Sequence, residues 1–356
     1  MNAIRSAGLR ALLIFGLGAA AGSGLVRAQP AGPEWDAAQS LPPYEPQQVV
    51  TGKIRLWARA PLAALIKDWQ KSFSRFHPAV TYDVRTYGTA SVIGAIYEGA
   101  ADCGILGEEI HPDALAAFEQ VKHHEPLGVE ILTGSVDVKG YAYAQTFFVH
   151  RDNPLSQITL AQLDGILGTE HRRGGSLIRK WGDLGLQGEW ADHAIQPYTW
   201  LLAESFCLYL QHAVLDGSHR WNNQIKEFVT ITRPDGTSVD DGQQILEALA
   251  QDRFGIAVSN LRYAKPELNV KPLALGKTAD GPFYLPSKAT LIAQTYPLTR
   301  VIPLFADWAP GQPLDPKVKE FIRFILSRDG QAAVARTKGY LPISRLVAEA
   351  QLRKLQ

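Results

Sequence analysis

The residues best suited to chemistry lie at helix starts and strand ends. Gly88-Thr89-Ala90-Ser91 forms a turn ahead of Val92, Ile93, Ile96 and Tyr97, which share one helical face. A helix N-terminus points unpaired N–H groups at an anion, and the helix dipole adds favourable charge. Thr89 and Ser91 could add hydroxyl donors, with Gly88 permitting the tight turn. The same residue types are also ordinary helix caps. Arg59 stands two residues before Pro61, which opens another helix. A guanidinium suits oxyanions and carboxylates bidentately; an exposed Arg at a helix start is the plainer alternative. Glu108 follows an apolar strand at 103–106, a loop position where Glu is most simply exposed.

Catalytic and metal-binding patterns are absent from the sequence. It has no H-E-x-x-H, G-x-S-x-G or phosphate-loop motif. His123-His124-Glu125 is the one His/acid cluster, and adjacent ligands rarely share a metal without more distant partners. The expectation is no enzyme, no catalytic residue, no metal and no cofactor.

The N-terminus carries an address. Arg5 and Arg10 flank the start of an apolar run at 11–25, too short for the about 20 apolar residues that span a bilayer. Val26-Arg27-Ala28 supplies small residues for a cleavage site, so residues 1–28 read as a secretory signal peptide cut after Ala28. The expected location is periplasmic. Of 36 basic residues, Arg5, Arg10 and Arg27 leave with the signal, against 35 acidic residues that stay. A net charge near −2 gives no electrostatic footprint for nucleic acid or a membrane surface. Residues 29–48, rich in Pro, Ala and Gln, read as a disordered lead-in. Cys103 and Cys207 are the two cysteines; export permits a disulfide, and burial as small apolar residues is the alternative.

Elements that could position these residues alternate along the chain. A strand at 54–56 leads to a helix with Leu62, Leu65, Ile66, Trp69 and Phe73 on one face. Val80, Tyr82 and Val84 alternate as a strand, and the second helix and third strand complete a βαβαβ opening. A long strand is expected at 141–149. Thr159 and Gln162 have capping-box spacing ahead of a helix. Apolar helices are expected at about 202–215 and 243–250, a strand at 255–258, and a helix begun by Asp315-Pro316.

In this order the chain resembles the periplasmic phosphate-binding protein family of transporter substrate-binding proteins, over about 52–345. Gly88-Thr89-Ala90-Ser91 through Asp102-Cys103-Gly104 is similar to the family's Gly-Ser loop, helix and G-x-A-D-I-G strand. Asn153-Pro154-Leu155 to Leu163, then Trp181-Gly182-Asp183-Leu184, resembles its N-P-x-x-x-L-T-x-x-Q-L and W-x-D-L stretches. Tyr296-Pro297-Leu298-Thr299-Arg300 and Gly339-Tyr340-Leu341-Pro342 resemble Y-P-L-S-R and G-Y-x-P.

The resemblance implies an α/β fold, the two-lobed type II periplasmic binding protein architecture with hinge crossover strands. Lobe one would combine 49–145 with 260–350, and lobe two would be 146–259. Crossings would lie near 141–149 and 256–263. Ligand would sit in the cleft, trapped by hinge closure. A monomer would then present the small solute to the membrane permease of an ABC transporter.

Four segments would converge on the ligand by this resemblance. Ala58 and Arg59 stand where the family has hydroxyl residues. Gly88, Thr89, Ala90 and Ser91 keep the family pattern best. Glu108 occupies a position where Arg is common. Like charges at about 4 Å cost roughly 4 kcal/mol at an effective dielectric of 20. Such a cost removes most affinity for a dianion unless Glu108 points away, carries a proton or pairs with Arg59. Glu204 and Ser205 fall in a segment lacking the family's Arg, Gly and Thr, where an apolar structural helix is the competing reading.

The scaffold therefore implies phosphate or a similar oxyanion, while three of four segments depart from the anion pattern. Glu108, Glu204, Trp57 and Trp200 would suit a cationic or zwitterionic solute instead. A non-transporting sensor or adaptor with a degenerate cleft is the further alternative.

Overall fold

The computed structural model describes residues 32–356, so the signal peptide expected at 1–28 lies outside the described residues. Helix α1 (Pro33–Gln39) precedes β1 (Gly52–Arg59), α2 (Ala63–Phe73), β2 (Val80–Tyr87), α3 (Thr89–Tyr97), β3 (Cys103–Ile105), α4 (Pro112–Lys122) and β4 (Leu127–Thr133). The chain continues through β5 (Thr146–His150), β6 (Gln157–Thr159), α5 (Leu160–Leu167), β7 (Gln196–Trp200), α6 (Ser205–Ala213) and β8 (Lys226–Phe228). Next come β9 (Ile231–Thr232), β10 (Ser238–Val239), α7 (Asp241–Leu249), β11 (Gly255–Ser259), β12 (Val270–Pro272), β13 (Ala274–Gly276), β14 (Phe283–Tyr284) and α8 (Lys288–Ile292). Strand β15 (Val301–Ala306) and helices α9 (Pro316–Ile325), α10 (Arg328–Arg336) and α11 (Arg345–Arg353) close the chain.

Two five-stranded sheets organise this order into two α/β lobes. The first runs β2-β1-β3-β15-β4, with β15 antiparallel to both neighbours. The second runs β12-β5-β11-β7-β8. Along β1, Ile54, Leu56 and Ala58 alternate into a fully buried core, as a period of two requires. Leu65, Ile66, Trp69 and Phe73 of α2 meet that core from one helical face. A separate core surrounds Phe147, Phe148, Trp181 and Trp200 in lobe two. The capping box at Thr159 and Gln162 is formed, and Asp315 caps α9 with Pro316 in its first turn. Among the described residues no helix is long and apolar enough to cross a membrane.

The lobe boundaries differ from the sequence expectation. The chain leaves the first sheet after β4 and enters the second at β5, and 141–145 is connector rather than strand. It does not return near 256–263. Strand β12 pairs with β5 in the second sheet, and Leu291, Tyr296 and Leu298 belong to the second core. The return is the short segment just before β15. Residues 260–298 are therefore part of lobe two, because their apolar side chains find the second core.

The two connectors touch each other where Gly134 N–H donates to the Arg300 carbonyl at 2.8 Å; within the first connector, Ser135 bridges to Tyr143. A Cβ on Gly134 would lie 2.5 Å from Arg300 Cβ and 2.8 Å from the Ala142 carbonyl, so only glycine allows this approach.

The lead-in is ordered where it is described, contrary to its composition. Ala38, Leu41, Tyr44 and Val50 are buried. The Tyr44 hydroxyl donates to Glu320 at 2.5 Å and meets His77 Nε2 at 2.8 Å. Helix α1 packs on α10 of lobe one and on α8 of lobe two. Both cysteines are free and buried, Cys103 in the first core and Cys207 in the second, so a disulfide between them is not formed.

Candidate functional site

Two adjoining cavities lie between the lobes. The larger, 710 Å³, is walled by α3 and the start of α4 on one side and by α6 on the other. The smaller, 240 Å³, lies beside the connector at 139–143 and the N-terminus of α7. Glu108 and Ser205 line both.

Each lobe presents a helix N-terminus here. Gly88 precedes α3 with an extended backbone and makes no side-chain cap. Glu204 precedes α6 in the same way. The first N–H groups of these helices, at Thr89 and Ala90 and at Ser205 and Phe206, find no protein acceptor among the described residues. Such unpaired N–H groups are the basis of anion binding at helix starts.

Arg59 ends β1 and lines the smaller cavity. Gly107 makes room for it: with φ +86°, its position has no Cβ, and one added there would lie 2.8 Å from Arg59 Cδ. The Tyr340 hydroxyl donates to the Gly107 carbonyl and fixes this crossing. Burial pushes the Tyr340 phenol up to about 12, with Arg59 opposing the shift. Arg59 itself forms no ion pair among the described residues.

The other charges of the smaller cavity are engaged. Lys139 Nζ donates to both oxygens of Asp240, at 2.7 and 2.9 Å, and this bond holds the Asp240 carboxyl below its ordinary range. Asp241 accepts from Trp200 Nε1 at 3.1 Å and from the Thr230 hydroxyl at 3.0 Å. Burial, then the charge of Asp241, raises the Glu204 carboxyl.

Glu108 pairs with neither Arg59 nor solvent alone. Its Oε2 lies 3.6 Å from Arg300 Nη2. Arg300 is 2% exposed and is held chiefly by Glu109, with Nε and Nη2 at 2.7 and 2.6 Å from Oε2. Burial works against the Arg300 charge, and Glu109 overcomes it, so the guanidinium is held above its ordinary value. Tyr209 of α6 covers it, the guanidinium carbon being 4.2 Å from the ring centroid. Arg300 Nη1 is buried without a partner.

The expected ligand positions divide. Arg59, Thr89, Ala90, Glu108 and Ser205 line one or both cavities. Ala58 is fully buried in the first core, and Gly88, Ser91 and Glu204 line neither cavity. The hydroxyls of Thr89 and Ser91 are not offered to the cleft. They donate to the carbonyls of Leu106 and Gly88, at 2.9 and 2.8 Å. Trp57 packs edge-on against Tyr87, and Trp200 is fully buried; neither lines a cavity, so no tryptophan wall for a cation forms. His124 meets Asp307 at 3.2 Å, and no group of three metal-capable side chains occurs among the described residues. Lys139, Asp240, Tyr263 and Arg300 line the cavities without having been among the expected ligand positions. Only Arg300 carried a signal, the Y-P-L-T-R stretch.

No family model matches the chain. The phosphate-binding protein PstS of Pseudomonas aeruginosa is 29% identical over 318 residues, covering 89% of this chain and 91% of that protein. Phosphate-binding protein PstS 2 of Streptococcus pneumoniae is 23% identical over 116 residues, covering 33% of this chain and 34% of that protein. Among solved structures, PstS from Borrelia burgdorferi has the same fold, with a TM-score of 0.53 at 15% identity over 82% of this chain and 99% of that one.

Proposed function

We propose that this chain captures phosphate or a similar oxyanion outside the cytoplasm for an ABC-type importer, a reading supported by its 29% identity over 89% of the chain to a phosphate-binding protein. The observation that carries this reading is the pair of uncapped helix N-termini, one from each lobe, at one cleft. Unpaired N–H groups at Thr89, Ala90, Ser205 and Phe206 offer an oxyanion hydrogen bonds without a metal. Arg59 adds the unpaired cation. Closure about the connectors joined at Gly134 and Arg300 would bring both helix starts onto one ion.

Glu108 shapes the preference. Arg300 lies 3.6 Å away but is engaged chiefly by Glu109, so Glu108 remains a net negative group beside the cleft. A carboxylate accepts hydrogen bonds and donates none. It therefore favours an oxyanion that still carries a proton, as phosphate does near neutrality, over sulfate.

The relatives are named as binding proteins, and the reading includes no catalysis. The mature protein would begin after Ala28 and act as a monomer, handing its solute to a membrane permease. A thermal-shift panel of phosphate, sulfate and molybdate on the mature chain tests the reading, since any ligand of the native state must stabilise it by mass action. Phosphate is expected to raise the midpoint most. An unchanged midpoint with all three would remove the oxyanion reading and leave the sensor or adaptor alternative.

A further inference from the structure

The larger cavity is more than a bare ion needs. At 710 Å³ it falls within the roughly 300–1,000 Å³ of sites that enclose organic ligands. A tetrahedral oxyanion has five heavy atoms, on the order of two to three waters at about 30 Å³ each, and would leave most of that space unfilled. Much of the wall is also apolar, beside the polar lining of Glu109, His111, Asp113 and His212. Ile93, Leu106 and Ile110 face it from lobe one, and Leu208, Tyr209 and Ala213 from lobe two.

Arg300 supplies a second, independent indication. It lines this cavity, is 2% exposed, and keeps Nη1 without a partner. A buried donor without an acceptor is costly, and native structures rarely leave one unsatisfied without a reason. Its charge is already balanced by Glu109, so the vacancy calls for a hydrogen-bond acceptor more than for a second full negative charge. Ser205 and Glu108 stand on the border of the two cavities. An anionic head at the helix starts beside Ser205 and Arg59 would thus leave its substituent directed into the apolar space.

Building on the oxyanion reading, we infer that the preferred solute is an organic phosphate or phosphonate, its anionic head at the helix N-termini and its apolar substituent in the cavity beside Arg300. The apolar walls supply affinity that scales with buried area, and in an organic phosphate, though not in a phosphonate, the bridging ester oxygen can in addition accept from Nη1.

Calorimetric titration of the mature chain with inorganic phosphate, methylphosphonate, butylphosphonate and phenylphosphonate tests this. Affinity is expected to rise with the substituent, phenylphosphonate binding about tenfold tighter than phosphate or more. Ala213→Phe and Ala114→Phe, both at partly exposed cavity positions, fill the space. Each is expected to bring phenylphosphonate back to the level of phosphate while phosphate keeps its affinity and the thermal midpoint stays within a few degrees. Phosphate bound as tightly as phenylphosphonate would overturn the inference and leave the oxyanion reading standing. Equal losses for both ligands in the filled variants would also overturn it. Binding of none of the four would overturn the inference, and failure of sulfate and molybdate as well would overturn the oxyanion reading with it.

Discussion

Glu109 holds Arg300 through Nε and Nη2, at 2.7 and 2.6 Å, and also accepts from the Val301 N–H at 2.7 Å. One carboxylate thus ties the loop after β3 to the segment by which the chain re-enters lobe one. The guanidinium it fixes is covered from lobe two by Tyr209, whose hydroxyl donates to the Thr299 carbonyl at 3.3 Å. The hinge is therefore built around a buried cation that both lobes touch.

Glu109→Gln tests that arrangement. It leaves the Arg300 charge without its main partner, and breaking a fully buried pair costs about 3–5 kcal/mol. Glu109 keeps 30% of its side-chain exposure, so about 2 kcal/mol is expected. Urea unfolding of the variant would show a lowered midpoint with little change in slope. An unchanged midpoint would show that water replaces the carboxylate at no cost.

Gly134→Ala tests the contact between connectors. The added methyl would meet Arg300 Cβ and the Ala142 carbonyl at distances no Cβ tolerates. A loss of about 1–3 kcal/mol is expected, as for overpacking elsewhere. Ligand affinity should fall with it, because the displaced connectors govern how the lobes meet.

Tyr44→Phe tests the ordered N-terminal segment. The lost hydroxyl serves Glu320, which is 1% exposed, and His77. Leaving a buried carboxylate short of a donor costs about 1–3 kcal/mol. A disordered lead-in would instead make the substitution silent in thermal unfolding.

Asp102 gives a pH test. Burial alone would raise its carboxyl, but hydrogen bonds from the Arg55 side chain and backbone outweigh burial and hold it below its ordinary value. The folded chain thus binds this proton less readily than the unfolded one. Its stabilisation is present above the unfolded value of about 3.9 and is lost as pH falls through the lowered folded value. Asp102→Asn is expected to cost about 1 kcal/mol at pH 7, Arg55 being partly exposed, and progressively less below pH 4. A constant difference across that window would contradict the assignment.

Local physics was legible along most of the chain. The alternation of β1, the apolar face of α2, the capping box of α5 and the Asp315-Pro316 start of α9 all follow from residues within one turn or strand. Lobe membership was not, because β12 and α8 are apolar in a way that suits either core. Composition misjudged the N-terminal segment for a related reason. Leu41, Tyr44 and Val50 are too few to fold alone and are ordered by grooves that distant residues build. At the site, Arg59, Glu108 and Ser205 sit at element ends that local spacing can find. Lys139, Asp240 and Arg300 reach the cleft only through the hinge, a relation between segments more than a hundred residues apart.

The central claim is that this cleft takes an oxyanion at paired helix N-termini with Arg59 as its cation. The most direct measurement is calorimetric titration of residues 29–356 with inorganic phosphate, before and after Arg59→Ala. The account predicts saturable binding to one site, weakened roughly tenfold to a hundredfold in the variant, the worth of a charged hydrogen bond. No heat in the unaltered protein with phosphate, sulfate or molybdate, or identical affinities with and without Arg59, would contradict it.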